Sequence, residues 1–192
     1  FIGYEGTQAN PVLDRARDGV CRGNVVYNID SQFNPAYGGN FAGTFPSQSA
    51  RNNSRSAPGL YVDGGANILM ERNTVHLCNI GASIGSEHSG RTSDGVVFRN
   101  NLIRHCHVGG LFLGGATAAN GGATTSTITH NTFHQNDTEL YGGGSVAIQR
   151  LVTGTIIQNN IFMASASPGG FAQFVLKTST NGSFAVNAIN WN

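Results

Sequence analysis

Residues 98–103 read Phe98-Arg99-Asn100-Asn101-Leu102-Ile103, and the second asparagine of this stretch recurs along the chain, each time followed closely by apolar residues. The recurring asparagines are Asn24, Asn73, Asn101, Asn131, Asn160 and Asn187. Successive members are separated by 49, 28, 30, 29 and 27 residues, so four of the five intervals are nearly equal. Self-similarity at a fixed period of this length is the signature of a repeat protein.

Each interval contains three short β-prone runs separated by turns. In the interval that begins at Asn73, these runs are residues 74–77, 82–84 and 96–98. Three strands and three turns make one coil of a parallel β-helix, in which the backbone of each coil pairs with the next at about 4.8 Å. The sequence therefore predicts an all-β chain, a single-stranded solenoid of about six coils of 27–30 residues.

The first interval is longer than the others because it contains residues 30–58, which are rich in Gly, Asn and Ser. We expect this segment to be a long loop insertion. Residues 1–192 are expected to form a single β-helix domain. Because the chain begins at Phe1, without a methionine, we expect either a processed mature product or part of a longer protein. The uncovered coil ends favour the longer protein.

The composition argues against two classes of partner. Charged residues make up 11% of the chain and the formal net charge is +1, with no run of Lys or Arg. Nucleic-acid binding is therefore not expected. No apolar stretch approaches the roughly 18 residues of a transmembrane helix, so no membrane span is predicted.

The repeat also predicts which side chains point into the solenoid. The asparagine is expected to provide the left-handed residue of a tight turn, and its amide to join a ladder with the amides of neighbouring coils. Two residues later comes a predicted core stack, formed by Val26, Val75, Ile103, Phe133, Phe162 and Ile189. Three residues after the asparagine, His76, Arg104 and His134 are predicted to face solvent. Cys78 and Cys106 are expected on adjacent coils, as stacked thiols rather than a disulfide.

These coils resemble the right-handed parallel β-helix repeat proteins of the pectate lyase-like superfamily, over roughly residues 20–192. The residues that carry the resemblance are Gly59-Leu60-Tyr61-Val62-Asp63-Gly64-Gly65, Glu71-Arg72-Asn73, Ile80-Gly81-Ala82-Ser83-Ile84-Gly85-Ser86-Glu87-His88, Arg99-Asn100-Asn101-Leu102-Ile103 and Gln158-Asn159-Asn160-Ile161-Phe162. The resemblance implies a right-handed solenoid and a secreted protein. The Asp cluster and the Arg-containing motif of the pectate lyases are missing, so it does not imply a lyase reaction.

In this superfamily the functional surface is the sheet formed by the third strand of each coil. Alternation along these strands predicts two outward columns. One contains Tyr61, Ser83, Phe112, Ala147 and Val175, and the other contains Asp63, Gly85, Gly114, Gln149 and Lys177. We expect Gly85 and Gly114 to let a sugar chain approach the backbone. Tyr37, Phe41 and Phe45 of the insertion are expected to form a wall over this sheet.

The predicted function is that of a secreted domain that binds an extracellular polysaccharide on this face; whether it also cleaves it, as a lyase or a glycosidase, is left open. The candidate catalytic residues are Asp63, Glu87 and His88. The candidate substrate-binding residues are Tyr61, Phe112, Gln149, Arg150 and Lys177. No metal site is predicted from a motif and the cofactor is undetermined, with Ca²⁺ between Asp63 and Glu87 as a candidate. The alternative is a non-catalytic structural or adhesive solenoid that associates end to end through its uncovered coils.

Overall fold

The computed structural model describes residues 15–34, 55–164, 176–178 and 184–190, and the strands follow one another coil by coil. The first coil contains β1 (Val20–Arg22), β2 (Val25–Tyr27) and a 3₁₀ turn (Ser31–Phe33). The second coil contains β3 (Pro58–Asp63), β4 (Leu69–Glu71) and β5 (Thr74–His76). The third coil contains β6 (Ile80–Gly85), β7 (Thr92–Asp94), β8 (Val97–Arg99) and β9 (Leu102–Arg104).

The fourth coil contains β10 (Gly109–Leu113), β11 (Gly122–Thr124), β12 (Thr127–Thr129) and β13 (Thr132–His134). The fifth coil contains β14 (Val146–Ile148), β15 (Val152–Gln158) and β16 (Ile161–Met163). The sixth coil contains β17 (Leu176–Thr178) and β18 (Phe184–Asn190).

Corresponding strands of successive coils pair in parallel to form three sheets. Sheet A has the order β3-β6-β10-β14-β17, and sheet C has the order β2-β5-β9-β13-β16. Sheet B joins β1, β4, β8, β12, β15 and β18, and the first half of β15 also pairs with β11, which in turn pairs with β7. This arrangement confirms the predicted parallel β-helix. The predicted wall over sheet A, formed by Tyr37, Phe41 and Phe45, lies outside the described residues.

The asparagine ladder is present at the corner between sheets B and C. Each amide nitrogen donates to the amide oxygen of the next coil, in the pairs Asn24–Asn73, Asn73–Asn101, Asn101–Asn131 and Asn131–Asn160, at 2.9–3.0 Å. Each of these acceptor oxygens also receives the backbone N–H of its partner asparagine in the preceding coil. The buried Asn101 amide, for example, accepts two hydrogen bonds and donates two, the second to the Met70 carbonyl. The ladder thus satisfies buried amides that would otherwise be costly.

The left-handed residue of this corner is not the ladder asparagine, contrary to the prediction. It is the residue before it, namely Gly23, Arg72, Asn100, His130 or Asn159, each with φ between 54° and 70°. The ladder asparagine must keep its side chain inside the corner to reach the next coil, so the turn is made one position earlier. Asparagine is selected here for its amide rather than for its backbone freedom.

The apolar stack behind sheet C is confirmed for five of its six predicted members. Register aligns Val26, Val75, Ile103, Phe133 and Phe162 on successive strands. The Phe133 ring lies between two others: its centroid is 5.3 Å from that of Phe162 and 6.5 Å from that of Phe98. Cys78 and Cys106 are buried beside this stack, and both are free thiols, as expected.

The prediction for the sixth coil is wrong. Ile189 pairs with Ile157 in sheet B instead of continuing the stack from Phe162, and the partner of Gln158 is Asn190. Asn187 lies within β18, between residues paired with Thr155 and Ile156, and the register is irregular there. The period of 27 residues placed Asn187 at the corner, but the length of chain between coils five and six differs from that of the earlier coils.

A buried ionic cluster lies where the insertion leaves and re-enters the solenoid. The Arg55 guanidinium, with its side chain 2% exposed, bonds Asp30 at 3.2 Å and also contacts Glu139. One oxygen of the Asp30 carboxylate accepts hydrogen bonds from the Gln32 N–H and the Asn79 amide. The other oxygen lies 3.1 Å from Nδ1 of His107. Burial opposes ionisation of Asp30, but these hydrogen bonds and the Arg55 charge together lower its pKa to about 2. No pattern in the sequence indicated this cluster.

The ladder amides are expected to stabilise the fold individually. Asn101→Ala removes the acceptor of two Asn73 donors, so it should lower the free energy of unfolding by about 2–4 kcal/mol. Asn100→Gly, at the neighbouring left-handed position, is the matched control and should be nearly neutral. Urea unfolding measures both. A neutral Asn101→Ala would show that the ladder contributes nothing to stability.

The Phe133 stack is expected to tolerate no truncation. Phe133→Ala should cost about 3–5 kcal/mol, because the rings above and below cannot close the cavity. His134→Ala changes the next, outward residue and should shift stability by less than about 0.5 kcal/mol. Equal changes in the melting temperature for the two variants would reverse the assignment of inward and outward faces.

The Asp30 carboxylate is expected to contribute to the acid sensitivity of the protein. Because its folded pKa lies below the ordinary 3.8, its stabilising contribution is complete above about pH 4 and is lost as the pH falls towards 2. Asp30→Asn should therefore melt lower at neutral pH and show a smaller decrease in melting temperature between pH 4 and 2 than the wild type. Asp18→Asn, at an exposed position, should leave that pH dependence unchanged.

Candidate functional site

The outer face of sheet A carries a cleft of about 700 Å³. Its floor is the column Tyr61–Ser83–Phe112, in which each residue is the register partner of the next. Pro58, Ile80 and Val108 line the end at which the strands begin. Polar residues line the other end, where the strands finish: Ser86, Glu87, Asn120 and Gln149. The cleft is therefore apolar along its floor and polar at one rim.

The Glu87 carboxylate is exposed and is held by contacts from two other coils. Its oxygen accepts a hydrogen bond from the Tyr61 hydroxyl at 2.7 Å. Its backbone N–H donates to the Asp63 carboxylate at 2.7 Å, and its carbonyl accepts from the Asn120 amide at 3.1 Å. Burial and the Glu87 contact raise the pKa of Tyr61 well above its ordinary value, so Tyr61 remains a donor. Glu87 is a fixed acceptor at the rim of the cleft.

Asp63 lies behind Glu87 and not on the surface of the cleft. Its side chain is buried, with the residue 4% exposed, although alternation predicted an outward position. Burial raises the pKa of Asp63, and the negative charge of Glu87 adds to the increase, while the hydrogen bond from the Glu87 N–H opposes it. The Asp63 carboxylate accepts the Glu87 N–H from the loop that follows β6, so it holds this loop instead of lining the cleft. Asp63 positions Glu87.

The Phe112 ring is supported from below by glycines. A Cβ on Gly109 would lie 2.5 Å from the ring, and a Cβ on Gly143 would lie 2.8 Å from it. Gly143 belongs to a loop that wraps around the buried Asp137 carboxylate, which accepts the N–H groups of Tyr141, Gly142 and Gly144. The loop thereby holds the ring of Phe112 in the cleft floor.

Gly85 and Gly114 line the cleft, but coil stacking is what requires them to be glycine. A Cβ on Gly85 would lie 2.3 Å from the Gly114 carbonyl oxygen, and a Cβ on Gly114 would lie 2.3 Å from that of Arg150. Gly114 also has a φ of +93°, which other residues rarely adopt. The backbones of adjacent coils come too close for a side chain, which is a sufficient structural cause for both glycines. The expectation that they also let a sugar approach the backbone stays a prediction.

The remaining predicted residues lie at different distances from the cleft. Gln149 lines it, whereas His88 and Arg150 are not part of the described lining. His88 is close enough to Asp63 for its charge to lower the Asp63 pKa. Arg150 pairs through its backbone with Gly115 at the edge of the sheet.

Lys177 was predicted in the Asp63 column, and this is wrong. Its register partner is Ala147, which places it in the column of Tyr61 and Phe112. The difference is a shift of two residues along the strand. Such a shift keeps Leu176 on the inward face, so the hydrophobic pattern cannot distinguish the two registers.

Arg55 and Asn120 are among the cleft residues that were not anticipated from the sequence. Arg55 lines the end of the cleft at which the strands begin, and Asn120 lines the opposite rim and holds the Glu87 carbonyl. Both lie in Gly/Asn/Ser- or Ala-rich connections without a periodic pattern. No sequence signal linked either of them to Glu87.

Among the described residues, no group of three or more His, Cys, Asp or Glu side chains is arranged to hold a metal ion. If Ca²⁺ binds here, Glu87 is the exposed carboxylate available to it, and most of its ligands would have to come from water or a substrate. In the same part of the chain, no helix is long and apolar enough to cross a membrane.

Comparison with known proteins supports the fold and leaves the chemistry open. Residues 12–190 match the family model described as right handed beta helix region. Over 112 residues the chain is 34% identical to the uncharacterized protein YwoF of Bacillus subtilis (strain 168), a match that covers 58% of this chain and 24% of the relative. The chain thus spans about a quarter of the length of that relative. No solved structure matches significantly.

The family match covers most of the chain, and it agrees with the three parallel sheets and the asparagine ladder described above. The protein belongs to the right-handed beta helix family.

Proposed function

We propose that the cleft on sheet A binds a polysaccharide. The observation that supports this proposal best is the combination of an aromatic floor, formed by Tyr61 and Phe112, with a rim of fixed acceptors and donors at Glu87, Asn120 and Gln149. Aromatic rings cover the apolar faces of sugars, and carboxylate and amide groups bond their hydroxyls. Residues of successive coils line the cleft, so a chain-like ligand could extend from one coil to the next.

Binding is better supported than cleavage. Hydrolysis of a glycosidic bond commonly uses two carboxyl groups that both reach the substrate. Among the described residues that line the cleft, Glu87 is the single carboxylate, since Asp63 is buried and bonded to the Glu87 N–H. The proposed role is therefore a glycan-binding domain, with Glu87 and Phe112 as its central contacts.

We also propose that the ligand is extracellular and the protein secreted, in keeping with the resemblance to secreted members of the pectate lyase-like superfamily. The relative from Bacillus subtilis is much longer than the matched region, so a catalytic step, if the whole protein performs one, need not lie in this domain. The non-catalytic scaffold is the alternative that a failure of glycan binding would favour.

The proposal is tested by calorimetric titration with a panel of neutral and uronate polysaccharides, with reducing ends and ultraviolet absorbance recorded in parallel. Phe112→Ala and Glu87→Gln should each weaken binding of a neutral polysaccharide about tenfold or more, because each removes or weakens a central contact. The melting temperature should change by only a few degrees, since Glu87 is exposed and Phe112 is only partly buried.

Tyr27→Ala and Asp18→Asn are the matched controls. Tyr27 is an exposed aromatic residue on the outer face of sheet C, and Asp18 is an exposed carboxylate away from sheet A. Both should bind like the wild type. No binding by any polymer, or equal losses in the control and cleft variants, would contradict a glycan site on sheet A. The double Ala substitution of Asp63 and Glu87 is less informative, because loss of the buried Asp63 would also disturb the loop.

A further inference from the structure

We infer that the cleft selects glycans whose sugar units carry no carboxylate, so that it favours uncharged polysaccharides over polyuronates. This inference rests on the proposed function, and it concerns the charge of the ligand alone. It rests on a difference between the charged groups of the cleft lining: one is exposed to a ligand, and the other is already paired within the protein.

The accessible charge of the described lining is negative. The residues that line the cleft include two charged side chains, Glu87 and Arg55. Glu87 is exposed at the rim. The Arg55 side chain is 2% exposed, and its guanidinium already bonds Asp30, Gln32 and Glu139. A carboxylate on a ligand would therefore meet a negative charge at the rim, and Arg55 could neutralise it only by giving up buried partners.

Glu87 cannot easily move away from such a ligand. The Tyr61 hydroxyl holds its carboxylate, while Asp63 and Asn120 hold its backbone from the coils on either side. A second carboxylate, that of Asp63, lies directly behind its N–H. Fixed groups of this kind favour a ligand of matching chemistry and disfavour one of like charge. A vicinal pair of sugar hydroxyls can donate to the free oxygen of Glu87, whereas a uronate carboxylate cannot donate.

The other cations of this face lie outside the described lining. Arg150 follows Gln149 at the strand end, where its backbone pairs with Gly115. Lys177 stands two coils beyond Phe112 in the same column, about 10 Å away at the usual coil spacing. His88 lies near Asp63, whose pKa its charge lowers. The experiment below therefore includes variants of Arg150 and Lys177.

The test uses polymers that differ only in charge. Polygalacturonate and polymannuronate are each compared with the same polymer after its carboxyl groups have been reduced to alcohols, by titration calorimetry at low salt and at 1 M NaCl. For at least one backbone, the wild type should bind the reduced polymer about tenfold or more tightly than the uronate. High salt should narrow this ratio, because charge repulsion is screened.

Variants identify the residue responsible. Glu87→Gln keeps the shape of the side chain and removes its charge. It should therefore bring the two affinities together, by weakening binding of the reduced polymer, as proposed above, and by removing the repulsion of the uronate. Asp18→Asn should keep the wild-type ratio. Arg150→Gln and Lys177→Gln should not abolish binding of the reduced polymers.

Two failures are distinguishable. If a uronate binds as tightly as its reduced form, or binds in a manner that Arg150→Gln or Lys177→Gln abolishes, the cleft binds glycans but the inference about charge is wrong. An unchanged ratio in Glu87→Gln also overturns it. If no polymer binds, including the neutral glycans of the wider panel, the proposed function itself fails and the inference fails with it.

Discussion

Stacking of one coil on the next at backbone hydrogen-bonding distance is the constraint on which this structure depends. Every strand of the three sheets takes its partners from the coils above and below, and the asparagine ladder continues the same bonding through the corner where the strands are interrupted. A corner without such amides would leave buried donors and acceptors unpaired in each coil, at a cost of about 1–3 kcal/mol for each group. The left-handed residue before each ladder asparagine turns the chain so that the amide can reach its neighbour. The left-handed residue and the ladder asparagine therefore act together at each corner.

The same constraint forms the cleft. Because successive coils are in register, Tyr61, Ser83 and Phe112 become a continuous floor although they are distant in sequence. Close approach of the coils excludes side chains at Gly85 and Gly114, and it brings Asp63, Glu87 and Asn120 from three coils into one set of contacts. The insertion is attached beside this face by the buried cluster of Arg55 and Asp30. The rim and the floor are thus fixed by structural elements rather than by the loops alone.

The arrangement distinguishes two carboxylates that looked equivalent in the sequence. Asp63 is buried, has a raised pKa and positions the loop, whereas Glu87 is exposed and held by Tyr61. This division of roles favours recognition of a ligand over a reaction that needs two groups in contact with it. It also sets the sign of the accessible charge, because the nearest cation in the lining is already paired within the protein.

The sequence by itself determined the β-helix, its period, the ladder positions and most of the core stack, because these repeat in every coil and a repeated pattern averages out local exceptions. It also placed Tyr61, Phe112 and Gln149 on one face, through strict alternation along the strands. The tertiary structure alone decided the features that occur once. The register of the sixth coil, which moved Lys177 and Asn187, depends on a connection length that alternation does not encode. The contact of the buried Asp63 depends on how the loop after β6 folds, and the contacts of Arg55 and Asn120 depend on how irregular connections fold against other coils. Interactions that repeat in every coil can be predicted from the amino-acid sequence. Contacts between non-repeating segments cannot, because they depend on how the stacked coils bring those segments together.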